Sequence, residues 1–212
     1  MIIRGLPAQS LIHFSVVIYE RIIIMTLKEK TFNSAKELSS VFSLTAIGML
    51  LALRIILGIF ANSTMALFGN MVKISLNFLP IAIAAAMFGP ICAALIGGLG
   101  DVLSFFLNSA GGTYFPGFTL NGIITGLILG YFLYKNNVTV KNVLISWTIN
   151  AVIVEILMSG YWLYFIYGAG QGSSFYLFLW TRAISEAIKF VPSVLIILAV
   201  GKAVGKIKIR NA

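Results

Sequence analysis

The sequence predicts an all-α membrane protein of six transmembrane helices with both termini cytoplasmic. Three observations predict it. Hydrophobic residues make up 59% of the 212 and charged residues only 10%, against about 45–50% and about 25% in an average soluble domain. The mean hydropathy of +1.00 means that the apolar excess must face lipid, and apolar stretches near the ~20 residues that a membrane helix needs recur along the chain. The basic residues collect in alternate connectors, as they do in proteins that cross the bilayer repeatedly.

The spans are expected at about 41–60, 74–88, 91–107, 118–134, 143–167 and 175–204. Gly89-Pro90 parts the second from the third with turn chemistry and no room for a long loop. The last two are long enough to tilt or to extend past the lipid. Ala61-Asn62-Ser63, Ala110-Gly111-Gly112, Lys135-Asn136-Asn137 and the run from Gly168 to Ser174 are the connectors. No internal repeat is visible, so an inverted-repeat transporter has no support.

Lys28, Lys30 and Lys36 precede the first span, Lys135 and Lys141 separate the fourth and fifth, and Lys202, Lys206, Lys208 and Arg210 close the chain. On the opposite side only Lys73 is found. Cytoplasmic loops carry the Lys/Arg excess, which puts both ends inside a prokaryotic plasma membrane and agrees with an even number of spans. Residues 1–24 fit less well, because Leu11 to Ile24 carries His13, Glu20 and Arg21. That extension reads as an interfacial segment or as a start taken too early, with Met25 the true one; a seventh helix is the alternative. The domain plan is then 1–24 as extension, 25–40 as cytoplasmic segment, 41–205 as membrane domain and 206–212 as basic tail.

Six ionisable residues remain inside the spans: Arg54, Asp101, Glu155, Arg182, Glu186 and Lys189. Each costs on the order of 2.5–3.5 kcal/mol at mid-membrane, and such groups face the protein interior or a wet cavity. Three cations and three carboxylates can neutralise one another, and pairing alone is one explanation. The other is a charged ligand. Arg182, Glu186 and Lys189 share one helix face, so Glu186 can neutralise one neighbour and leave the other cation for that ligand. Trp162 and Tyr164 near a Gly-rich connector read either as interfacial belt residues or as a stacking wall for a flat ring.

Catalytic chemistry is not visible. His13 lies outside the spans, so no Ser/His pair can be built, and one cysteine, Cys92, excludes a disulfide scaffold. One histidine leaves no zinc set, and no metal or cofactor is expected. Gly201-Lys202-Ala203-Val204-Gly205-Lys206 has the wrong spacing for a phosphate loop. The basic tail lacks base-reading chemistry, so nucleic acid is not an expected partner.

Four stretches, taken in order, resemble the substrate-binding S components of energy-coupling factor (ECF) vitamin transporters, and among these the folate-type branch. They are Leu44 to Arg54 with Gly48 and Ala52 one turn apart, Lys73 to Pro80 followed by an Ala-rich helix and Phe88-Gly89-Pro90, Gly98-Leu99-Gly100-Asp101, and Tyr114 to Leu120. The resemblance covers about 43–205. It implies a six-helix protein that binds a vitamin near the extracellular side, a transmembrane coupling subunit and two ATPases as partners, and docking of the coupling subunit through Gly48 and Ala52. Hydrolysis of ATP then belongs to the partners, and this chain is not an enzyme.

Folate has a flat pterin, an aryl ring and a glutamate tail with two carboxylates. A site for it needs stacking surface, polar partners for the pterin edge and cations for the tail. Phe115, Trp162 and Tyr164 are the stacking candidates, Asn77, Asn121 and Asp101 the edge partners, and Arg54, Lys73, Arg182 and Lys189 the anion partners. Another vitamin or a queuosine-like precursor is the alternative within transport. A stand-alone carrier driven by an ion gradient, with Asp101, Glu155 and Glu186 as its ion sites, is the alternative outside it.

Overall fold

The computed structural model describes residues 26–64, 66–67, 72–73, 76–107, 114–135, 139–168 and 174–210. The extension expected at 1–24 lies outside them. Helix α1 occupies residues 26–37, followed by α2 (Val41–Thr64), α3 (Phe78–Phe88), α4 (Pro90–Leu107), α5 (Pro116–Leu133), α6 (Val140–Asn150), α7 (Ser159–Leu163) and α8 (Phe175–Arg210). Two short strands, β1 (Ala66–Leu67) and β2 (Val72–Lys73), pair antiparallel between α2 and α3, with Ala66 opposite Lys73.

Five helical stretches are long and apolar enough to cross a membrane: Val41–Ile59, Pro90–Leu107, Pro116–Leu133, Val140–Gly168 and Phe175–Ala203. The chain is therefore a multi-pass membrane protein. The stretch expected as the second span differs. Its helical part, α3, begins only at Phe78 and has 11 residues, about 17 Å at 1.5 Å per residue against a hydrocarbon core of about 30 Å. Ala61-Asn62-Ser63, expected as a connector, belongs to α2.

Burial explains why so short a helix persists. Helix α3 is apolar on every side, as a helix enclosed by others must be, and Ile81, Ala82, Ala84, Ala85, Ala86 and Phe88 are all in the core. Pro80 falls in its first turn, where the missing N–H has no intrahelical partner to lose. Gly89 alone separates α3 from α4, at φ 90, and Pro90 takes the first position of α4, which suits its fixed φ. Helices α4 and α5 approach closely where a side chain at Gly97 would strike the Gly122 carbonyl.

Helix α1 is docked on this turn. The Ser34 hydroxyl is fully buried; it donates to the Phe88 carbonyl at 2.7 Å and accepts from the Ile91 amide at 3.0 Å. Lys30 Nζ donates to the Tyr131 carbonyl at 2.8 Å, and burial lowers its pKa. Tyr134, just past α5, has its phenol pushed up to about 12 by burial and by the nearby Glu37 carboxylate.

The fourth long stretch, Val140–Gly168, is a composite rod. Between α6 and α7 the chain winds as a π-helix over Ala151–Met158, and again over Tyr164–Gly168. Such wide turns leave carbonyls without the ordinary partner and often occur at functional sites. Here the Ser159 hydroxyl meets one of them, donating to the Val154 carbonyl at 3.0 Å.

Candidate functional site

A cavity of about 330 Å³ opens among α2, α3, α4, α5, the π-helical rod and α8. Its size is at the lower end of the range for small-molecule sites. All six intramembrane ionisable residues line it: Arg54, Asp101, Glu155, Arg182, Glu186 and Lys189. The fold thus gathers charges from four separate elements into one place. Because α3 begins only at Phe78, its first turn also lines the cavity, through Asn77, Phe78 and Ile81. The amide end of a helix carries partial positive charge, so it adds to the cationic side.

The charges are not paired evenly. Lys189 Nζ stands 2.9 Å from Glu186 and 3.8 Å from Glu155, so it serves both carboxylates. Asp101 accepts a hydrogen bond from Thr119 at 2.7 Å, and since the Thr119 proton points there, Tyr114 donates to Thr119 at 2.7 Å. Among the described residues, no carboxylate lies within 4.0 Å of either guanidinium. Arg54 is nevertheless buried, and among the described residues its Nε has no hydrogen-bond partner.

The amide edge is organised by a relay. Trp162 Nε1 donates to Asn121 Oδ1 at 3.1 Å, and Asn121 Nδ2 donates to Ser159 at 2.9 Å. With the Ser159 bond to Val154, this chain ties the tryptophan to the π-helical turn. Asn121 lines the cavity with much of its amide already engaged.

Of the residues expected from the sequence, Arg54, Asn77, Asp101, Asn121, Arg182 and Lys189 are brought together around the cavity. Phe115, Trp162 and Tyr164 are not part of its lining. Phe115 and Trp162 pack with ring centroids 5.4 Å apart, next to the cavity through the Asn121 contact. Tyr164 packs instead on Phe175 and Phe178. Lys73 falls in β2, and its side chain lies outside the described residues. Gly48 and Ala52 are exposed on α2, and a side chain built on Gly48 would meet nothing within 4 Å.

Sequence reasoning did not select Trp147, Thr125, Ser159 or Ser193, all of which line the cavity. Trp147 sits deep in α6 against Phe78, with centroids 5.0 Å apart. The available signal pointed elsewhere: four residues into the span expected at 143–167, a tryptophan reads as an interfacial belt residue. The serines and the threonine carry no signal, because small hydroxyls are common in membrane helices.

Comparison with known proteins supplies the family. Residues 42–201 match the family described as ECF transporter, substrate-specific component. The chain belongs to that family. The protein is therefore the substrate-binding component of a transporter rather than an enzyme. Among curated relatives, this S component is 35% identical over 140 residues to the folate transporter FolT of Clostridium novyi, covering 66% of this chain and 78% of the relative. It is 27% identical over 146 residues to the folate transporter FolT of Leuconostoc mesenteroides, covering 68% and 76%. Among solved structures, it superposes on a crystal structure of FolT bound with folic acid with a TM-score of 0.66 at 29% identity, covering 77% of this chain and 95% of the other.

Proposed function

We propose that this S component binds folate from the extracellular side and hands it to an ATP-driven ECF importer, with a transmembrane coupling subunit and two ATPases as partners. The observation that carries the reading is the uneven pairing of the cavity's three cations and three carboxylates. Lys189 is taken by Glu186 and Glu155, while among the described residues no carboxylate lies within 4.0 Å of Arg54 or Arg182, and a two-carboxylate tail matches two guanidiniums. The positive end of α3 supports the same ligand charge. The names and folate-bound state of its relatives support the vitamin.

In this reading the carboxylate tail lies toward Arg54 and Arg182, with Asn77, Asp101 and Asn121 along the pterin edge. Phe115 and Trp162 form the mouth, beside Tyr164 and Lys73. Helix α3 with the β1–β2 pair takes the place of a sixth span, and both termini are cytoplasmic in the cell membrane, on the side where the lysines gather. Gly48 and Ala52 meet the coupling subunit. A gradient-driven carrier has less support, because two of its three carboxylates are held by Lys189.

The deciding experiment is mass identification of the small molecule that co-purifies in mild detergent, followed by calorimetry and tryptophan fluorescence with added folate. We expect folate, saturable heat and quenching, with Trp162 as a main reporter. Silence at micromolar folate overturns the folate assignment, and a response to another vitamin reassigns the substrate. Uptake that persists without the ATPases, and collapses with the ion gradient, would establish the stand-alone carrier.

A further inference from the structure

Helix α2 turns most of its length outward, with Leu44, Met49, Leu53 and Ile56 exposed. Arg54 lies on the inward face with Ser43, Ile47 and Gly58: it is only 7% exposed and its side chain reaches the cavity. The way in lies along α4. A Cβ built on Gly100 would collide with Arg54 Cγ, and would stand 3.4 Å from its Cβ and 3.6 Å from its Cδ. On the other flank, a Cβ on Gly58 would stand 3.5 Å from Arg54 Nη1 and 2.8 Å from Ser104 Cβ. The Ser104 hydroxyl donates back to the Gly100 carbonyl at 2.5 Å, which holds it within its own helix.

Most collisions with an arginine are relieved at its flexible end. This one falls at Cγ, where relief requires a turn about χ1. In a helix one of the three χ1 wells is closed by the preceding turn, so a single alternative remains. Adopting it would swing the whole side chain, guanidinium included, away from the cavity. We propose that Gly100 is a positioning residue whose missing side chain admits Arg54 to the cavity and so sets the site's preference for a ligand with an anionic tail. The inference rests on the folate reading for the identity of that tail, while the steric relation between Gly100 and Arg54 stands apart from it.

The test is a double cycle on the purified full-length protein: wild type, Gly100→Ala, Arg54→Ala and both together, titrated with folate and with pteroate, which lacks the glutamate tail. We expect Gly100→Ala to weaken folate by at least about tenfold and pteroate by no more than about twofold, and to add no more than about twofold once Arg54 is alanine. Additive losses, or equal loss of both ligands in a variant that melts like wild type, overturn the inference. If Gly100→Ala alone fails to fold, the double variant decides. Recovery to the melting temperature of Arg54→Ala supports the collision at Cγ, and continued failure to fold assigns Gly100 to general helix packing and overturns it. A wild type that binds neither ligand removes the folate reading. Coupling between the two substitutions in the melting temperatures then still judges Gly100, and its absence overturns the inference.

Discussion

The Lys189 ammonium lies 2.9 Å from the Glu186 carboxylate, one turn away on the same face of α8. That pair decides what the rest of the cavity can do. Because Lys189 also reaches Glu155, the cavity cations with no carboxylate within 4.0 Å among the described residues are the two arginines.

Removing either arginine should therefore separate ligands by their tails. Truncating one partner of a desolvated charge pair costs about 2–5 kcal/mol, or roughly 30- to 5000-fold in affinity. We expect Arg182→Ala to weaken folate by an amount in this range and pteroate far less. Titration of both ligands against wild type and variant measures the coupling. Equal losses would make the arginine structural.

Lys189 should behave differently. Lys189→Met leaves the buried Glu186 carboxylate without its cation, and breaking a buried pair from one side costs about 3–5 kcal/mol. We expect a lower melting temperature in detergent, largely restored when Glu186→Gln is added. A single variant that melts like wild type would show that the pair contributes nothing to the fold.

The exposed stripe on α2 should matter to assembly alone. Gly48→Leu with Ala52→Leu adds bulk on a face where a Cβ on Gly48 would meet nothing within 4 Å among the described residues. We expect unchanged folate binding, with loss of co-purifying coupling subunit and of uptake. Weakened ligand binding by the double variant would place the stripe inside the protein's own packing.

The α3–α4 turn should be intolerant of any side chain. At Gly89 the backbone has φ 90, and a Cβ would stand 2.9 Å from the Ser34 Cβ and Oγ. We expect Gly89→Ala to destabilise the protein by about 1–3 kcal/mol, read by thermal unfolding in detergent. Ser34→Gly clears the collision but gives up the bonds to Phe88 and Ile91, so the double variant should lose less than the sum of the two single losses. Full stability of Gly89→Ala would mean that α1 is not held on the turn.

Composition and hydropathy alone were enough to establish a helical, multi-pass membrane protein. The ordered motifs placed it among the S components, and family comparison agrees over residues 42–201. These properties are legible in sequence because lipid demands long apolar helices whatever their neighbours. The six intramembrane charges were legible for the same reason: each is too costly to sit there unassigned. Which charge pairs with which was not legible, because Lys189, Glu155 and Glu186 come from two elements whose relative rotation is set only by packing. Tertiary burial likewise decided that α3 stays an 11-residue helix and that Tyr164 turns to Phe175 rather than to Trp162. Trp147 and Ser159 joined the cavity wall by the same route. Gly100 shows the difference most simply: the sequence marks it as one small residue among several, and only its distance from the Arg54 side chain gives it a task.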